Sequence, residues 1–193
     1  STNTPSAAAA DTPADREHIF DEAAQRLGAG ARLSDVQCTD PVDFSGPVTV
    51  NAQLAVDSFA VGGNPHRYLR LPLLQAPLAE RTLSDVLDKT SPKERKYGLR
   101  LWATRQARFE ETLSVPDGWE VVKKPDDVDL DGPSAALHFK LDSSPGQLHY
   151  TCELVIKRWI IPGNEYANFK EVMDKFTELT GRVLVCKTEG EHE

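Results

Sequence analysis

Two periodicities alternate along this chain. Leu148, Tyr150, Cys152, Leu154 and Ile156 fall on one face of an extended segment, and His149, Thr151, Glu153, Val155 and Lys157 on the other. A period of two marks a half-buried β-strand. Ile161-Pro162-Gly163 stops it. The period then changes: Tyr166, Phe169, Val172, Met173, Phe176 and Leu179 lie on one stripe of an amphipathic helix. Gly181 is placed to end that helix as a left-handed cap, and Val183-Leu184-Val185 makes a last short strand. Before the long strand, Ala135, Leu137, Phe139 and Leu141 alternate in the same way, and Ser143-Ser144-Pro145-Gly146 reads as a four-residue hairpin loop. Setting Asp142 opposite Gln147 places Leu141 opposite Leu148, Phe139 opposite Tyr150 and Leu137 opposite Cys152. Every apolar residue then shares one face, as a buried sheet requires.

The upstream half follows the same two rules. Residues 1–11 are rich in Ser, Thr, Pro and Ala without an apolar pattern and read as a flexible linker. Thr12-Pro13 starts a helix, with Ile19, Phe20, Ala23, Ala24 and Leu27 as its stripe and Gly28 and Gly30 at its end. A helix this short must dock on a sheet. Residues 33–38 predict a strand. A clear alternation sets Val48, Val50, Ala52, Leu54 and Val56 against Thr49, Asn51, Gln53, Ala55 and Asp57. Gly62-Gly63-Asn64-Pro65 is a turn, and residues 68–74 form a strand with Pro72 at an edge or bulge. Residues 81–89 suggest a short helix ended by Ser91-Pro92. Tyr97, Leu99 and Leu101 share one face, and Phe109, Leu113 and Val115 continue the pattern. Pro116-Asp117-Gly118 is a turn, after which residues 119–122 resume the strand.

Hairpins dominate and no strand–helix–strand alternation points to a parallel sheet. The expected class is mainly β: an antiparallel β-sandwich with immunoglobulin-like layers, an N-terminal helix and a C-terminal amphipathic helix. The expected organisation is a linker over 1–11, a helix plus β link region over 12–92, the sandwich with its helix over 93–187, and an acidic tail over 188–193.

Charge narrows the partners. With 30 acidic and 22 basic residues the net charge is −8. The only small basic cluster is Lys93-Glu94-Arg95-Lys96, so phosphate backbones and anionic membrane surfaces are repelled and no nucleic-acid partner is expected. No apolar run approaches the roughly 20 residues that span a bilayer, so no membrane insertion is expected. A chain that starts at Ser1 rather than at methionine is expected to be a processed product or a piece cut from something longer, so a missing leader says little about compartment.

Nucleophilic chemistry needs a cysteine beside a base. Cys38, Cys152 and Cys186 form no C-x-x-C pair, which argues against structural zinc and for buried thiols, while a single disulfide with one cysteine left over stays open. The available bases are His18, His66, His138, His149 and His192. Cys152 points to the core, whereas His138 and His149 point away from it. Cys38 or Cys186 near His66 carries no motif. No catalytic residue and no cofactor is expected. Asp127, Asp129 and Asp131 open a D-x-D-x-D-G calcium loop, with hard oxygen ligands at its first, third and fifth positions. Its twelfth position is His138, which cannot replace the bidentate glutamate, and Val128 and Leu130 alternate with the aspartates as on an edge strand. The three aspartates are at most a weak calcium site. His138 and His149 share a face on neighbouring strands, two ligands without a third. Trp102 and Trp159 fall opposite the aliphatic stripes of their strands. They form a ligand platform for sugar or peptide if exposed, unless the final helix or a second sheet covers them.

Three segments carry a family resemblance: Arg95-Lys96-Tyr97-Gly98-Leu99; Leu113-Ser114-Val115-Pro116-Asp117-Gly118-Trp119-Glu120-Val121; and an ending that reads Lys157-Arg158, Ile161-Pro162 and Tyr166-Ala167-Asn168-Phe169-Lys170. Together they resemble the C-terminal β domain of bacterial transglutaminase-like proteins of uncharacterised function, and residues 28–74 resemble the link region that precedes it. In such proteins the chemistry belongs to an upstream Cys-His-Asp module, which has no counterpart here. The resemblance implies a non-catalytic accessory or scaffolding domain of exported proteins, periplasmic or extracellular. Its partner would be the upstream catalytic domain of the same polypeptide or another protein. Trp119, Tyr166, Phe169 and Phe176 would then be structural. The alternative is a stand-alone carbohydrate- or peptide-binding β-sandwich module.

Overall fold

A computed structural model describes residues 24, 25, 30–40, 43, 45–57, 59–75, 83 and 85–188. The chain divides into two compact units, residues 1–59 and 60–193. In the first, strands β1 (Arg32–Cys38) and β2 (Val50–Ala55) pair antiparallel, with Leu33 opposite Leu54 and Cys38 opposite Val50. Arg32 closes the open end of the ribbon on Asp57 at 3.1 Å. Of the apolar positions expected on one face of β2 and its flanks, Leu54 and Val56 are half-buried, whereas Val48, Val50 and Ala52 are exposed. Ala24 and Gln25 are helical. The rest of the N-terminal helix, the linker over 1–11 and the tail beyond Thr188 lie outside the described residues.

The second unit begins with β3 (Val61–Gly63) and β4 (His66–Arg70), followed by the ribbon strand β5 (Leu99–Arg100) and the long β6 (Arg105–Ser114). Then come β7 (Trp119–Lys123), β8 (Val128–Asp131), β9 (Ala135–Ser144) and β10 (Gln147–Ile156). The ribbon strand β11 (Ile160–Ile161), helix α1 (Tyr166–Gly181) and β12 (Val183–Thr188) complete it. Two four-stranded antiparallel sheets result, ordered β6-β10-β9-β8 and β3-β4-β12-β7, with β5 and β11 paired on their own. The fold is mainly β, with antiparallel sheets and a C-terminal helix, consistent with a β-sandwich.

The core is the one the periodicities mark. Leu137, Phe139 and Leu141 of β9, the even-numbered positions of β10 from Leu148 to Ile156, and the α1 stripe from Tyr166 to Leu179 are all buried. The Phe139 and Tyr150 rings lie 6.2 Å apart and tilted. Each large apolar side chain taken from water contributes about 1.5–3 kcal/mol. Trp119 is only half-buried, beside Thr188 at the end of β12.

Several expectations change. The β9–β10 hairpin is shifted by two residues: Asp142 opposes His149, Leu141 opposes Tyr150, Phe139 opposes Cys152 and Leu137 opposes Leu154. Its loop is Pro145-Gly146 alone. Gly146 adopts φ +72°, which lets the chain reverse directly after Pro145. A two-residue slip preserves which face each side chain takes, so the core is unchanged. Gly181 is the last helical residue rather than a left-handed cap. Arg182 ends the helix in an extended conformation (φ −72°, ψ 145°), so the chain runs straight into β12 and needs no reversal. Pro72 does not sit in a strand. It opens a single helical turn, Pro72–Gln75, where its missing N–H is tolerated. Of residues 81–89, Leu83 and residues 85–87 are helical, Asp88–Thr90 continue as a 3-10 turn, and 81, 82 and 84 lie outside the described residues.

The division between units falls at 59/60 rather than at the expected 92/93. The reason is long-range pairing. Strand β4 hydrogen-bonds to β12, with Leu69 opposite Leu184, so residues before 92 complete the sheet that the C-terminus also builds. After the Pro116-Asp117-Gly118 turn, β7 likewise joins β12 rather than staying beside β6.

Candidate functional site

The two tryptophans singled out by their positions flank the β5–β11 ribbon, Trp102 two residues after β5 and Trp159 directly before β11. Arg100 opposes Ile160, Leu99 opposes Ile161, and the Leu101 N–H donates to the Trp159 carbonyl at 2.7 Å. Leu99, Leu101 and Ile161 are buried and anchor the ribbon. Trp102 and Trp159 are not covered: they are 82% and 46% exposed, and Ile160 beside them is also exposed. Tyr97 was expected on the Leu99/Leu101 face. The strand begins only at Leu99, and Tyr97 stands 76% exposed in the bend before it.

Each exposed ring carries a cation. Lys89 Nζ lies 5.5 Å from the Trp102 ring centre, the Arg100 guanidinium 5.2 Å from that of Trp159, and Lys96 Nζ 5.7 Å from that of Tyr97. All three fall within the reach of a cation–π attraction. Lys89, Lys93, Lys96 and Arg100 have no carboxylate partner among the described residues.

The start of α1 positions this surface. The Tyr166 hydroxyl donates to the Pro92 carbonyl at 2.7 Å, and Lys170 Nζ donates to the Thr90 carbonyl at 3.1 Å. Arg95 donates to the Lys89 carbonyl at 2.8 Å and lies over the Tyr166 ring. Gly98 allows the closest approach, because a Cβ there would stand 3.0 Å from the Ile161 carbonyl oxygen. Two of the segments that carry the family resemblance, around Arg95–Leu99 and Ile161–Tyr166, thus pack against each other and hold the ribbon.

The other candidates separate. Asp129 accepts from His138 at 2.6 Å, Asp131 pairs with Lys157, and Asp127 accepts the Leu141 N–H at 3.3 Å. The Lys157 ammonium holds the Asp131 carboxyl below its ordinary pKa. Asp129 and Asp131 belong to the extended β8, and each carboxylate is engaged by a different side chain, His138 and Lys157. Among the described residues no group of three or more His, Cys, Asp or Glu side chains could hold a metal ion. Two of the three aspartates that open the candidate calcium loop, Asp129 and Asp131, thus lie on an edge strand. His138 opposes Glu153 and His149 opposes Asp142, so the two-residue slip moves them four positions apart along the sheet.

Cys152 and Cys186 are free and buried, and Cys38 is free and half-buried. Burial pushes the Cys152 thiol up to about 12 and raises that of Cys186. His66 opposes Lys187, one position from Cys186, so the two point to opposite faces of their sheet.

Sequence reasoning missed Glu111. It shares the inward face of β6 with Phe109 and Leu113, so the strand's own parity carried the signal. Its carboxylate accepts from the Tyr150 hydroxyl at 2.6 Å and the Leu73 N–H at 3.3 Å. Burial raises its pKa, and the two hydrogen bonds oppose that shift. At the start of the same strand, Arg105 holds Asp85 through two bonds of 2.6 and 2.8 Å. Inward charges on an edge strand discourage edge-to-edge association.

Among solved structures, the chain is similar to a "putative protease" from Parabacteroides distasonis, with TM-score 0.53 and 12% identity. The match takes in 65% of this chain and 24% of that one. At this identity the likeness is one of fold. A search of the curated proteins finds none that matches. A family model described as a domain of unknown function with a solved structure, DUF3858, matches residues 67–186, from β4 through β12.

Proposed function

We propose that this chain, which belongs to the domain-of-unknown-function family DUF3858, is a non-catalytic interaction module of a longer transglutaminase-like protein, exported to the periplasm or beyond. The observation that carries this reading is the ribbon surface. Exposed Trp102 and Trp159 with cations over their rings match the residue types that dominate binding energy at protein interfaces. Two further facts support it. The fold occurs in the Parabacteroides chain as about a quarter of a longer polypeptide. The Cys152 and Cys186 thiols are buried with raised pKa values, the reverse of an activated nucleophile. The partner in this reading is the upstream catalytic domain of the same polypeptide, or a separate protein. The same tryptophans favour one alternative, a stand-alone module for carbohydrate or peptide.

The test is an assay of the 193-residue chain on glutaminyl and peptide substrates, beside Cys38→Ser, Cys152→Ser and Cys186→Ser. The expected result is no turnover by any of them. Turnover by the parent that disappears in one cysteine variant overturns the non-catalytic reading.

A further inference from the structure

Resting on the interaction-module reading, we propose that the ribbon surface around Trp102 and Trp159 binds an acidic segment of a polypeptide partner. The argument is one of charge. The chain as a whole is acidic, and many of its cations are held by carboxylates: Asp142 holds Lys140, Asp131 holds Lys157, Glu165 holds Arg158, and Asp174 holds Lys170. Around the ribbon the balance reverses. Between residues 89 and 102 the chain carries Lys89, Lys93, Arg95, Lys96 and Arg100 against Glu94 alone. Arg95 is used internally, on the Lys89 carbonyl and the Tyr166 ring. Lys93 faces a groove that Asp127, Asp129, Glu171 and Asp174 also line. Lys89, Lys96 and Arg100 form no ion pair with a carboxylate among the described residues, and each rests on an exposed aromatic ring, which distinguishes them from the other cations.

This placement has a consequence for recognition. A cation held over a ring is pre-oriented, so a carboxylate that reaches it loses less side-chain freedom than one that meets a free lysine. The rings and Ile160 supply apolar area for the backbone and side chains that flank the acidic group. A neutral sugar that stacks on Trp102 or Trp159 makes no use of the charges of Lys89 and Arg100, each of which lies over one of these rings. A nucleic acid brings a charge at every nucleotide against a chain of net charge −8. A short acidic peptide avoids most of that repulsion, because at physiological salt fields fade within about 8 Å and the local cations dominate.

The test is titration of the 193-residue chain with a poly-L-glutamate peptide, followed by tryptophan fluorescence, with cellohexaose and oligothymidylate as comparison probes. Polyglutamate is expected to give a saturable change that weakens steeply between about 50 mM and 500 mM salt. The Lys89→Ala/Arg100→Ala double variant is expected to bind about fivefold or more weakly, with an unchanged melting midpoint. Lys140→Ala, which removes a cation already paired with Asp142, is expected to bind as the parent does. Trp102→Ala is expected to lose most of the spectral change. No saturable response to polyglutamate, or a response that the double variant leaves intact, overturns the proposal. A response to cellohexaose or oligothymidylate alone overturns the acidic partner while a binding module stands. Turnover lost with a cysteine overturns the interaction module by itself, so the two failures are distinguishable.

Discussion

Two groups of aromatic residues in this molecule have opposite fates. Tyr166, Phe169 and Phe176 of α1 are buried against the sheets, and the chain around them is largely uncharged on that face. Tyr97, Trp102 and Trp159, on and beside the β5–β11 ribbon, stand in solvent with lysine and arginine over their rings. The first group gains its stabilisation once, on folding. The second keeps its apolar area for a partner. Tyr166 links them: its ring is buried in the core while its hydroxyl holds the Pro92 carbonyl of the segment that carries Lys89 and Tyr97. Burial and exposure are thus two outputs of one scaffold, and they predict opposite responses to mutation.

The sharpest break comes from Phe169→Ala. It removes a fully buried ring and is expected to cost about 3–5 kcal/mol, read as a large drop in the melting midpoint. An unchanged midpoint would remove the buried-face account of α1.

A smaller effect separates packing from polar satisfaction. Tyr150→Phe keeps the ring but takes away the hydroxyl that donates to Glu111, and is expected to cost about 1.5–3 kcal/mol. Glu111→Gln keeps an acceptor for both Tyr150 and Leu73 and removes the buried charge. Because burial raises the Glu111 pKa, the folded state holds its proton more tightly than the unfolded chain does. The contribution of Glu111 to stability therefore rises as pH falls from the raised folded value to the ordinary one, and is level on either side of that window. The variant lacks this slope. Melting curves of the parent and Glu111→Gln across the mildly acidic range should diverge accordingly, and a difference that does not change with pH counts against a buried charged carboxylate.

The smallest expected effect lies on the ribbon. Trp102→Ala removes a ring that packs against little besides Lys89, and its midpoint should stay within about 0.5 kcal/mol of the parent. A loss as large as that of Phe169→Ala would place Trp102 in the core group and end the contrast.

The cysteines and aspartates show how legible the site was. The two-residue period placed Cys152 on the core face and His138 and His149 on the other, and that parity survives the hairpin slip because the slip is even. The aspartates of β8 carry a loop-like spacing, yet Val128 and Leu130 between them already described a strand. Trp102 and Trp159 were identified one by one from the faces they take. Their placement on one ribbon was not legible, because the segments that carry them are far apart in sequence and are joined by the β5–β11 pairing and the Leu101–Trp159 hydrogen bond. Lys89 was not legible either, since its place over Trp102 depends on Tyr166, Lys170 and Arg95 holding the segment before the ribbon.

By itself, the sequence determined the local geometry: which segments are extended, which is helical, and which side chains share a face. These follow from backbone periods of two and 3.6 that act over a few residues. Strands β2 and β10 mark the limit. Both alternate cleanly, but β10 lies between β6 and β9 with its apolar face buried, while Val48 and Val50 remain exposed. Tertiary structure alone decided the coverage of each face, the pairing of β4 with β12 and the placing of Lys89 and Arg100 over two exposed tryptophans. Those outcomes depend on contacts between residues far apart in sequence, and no local pattern encodes them.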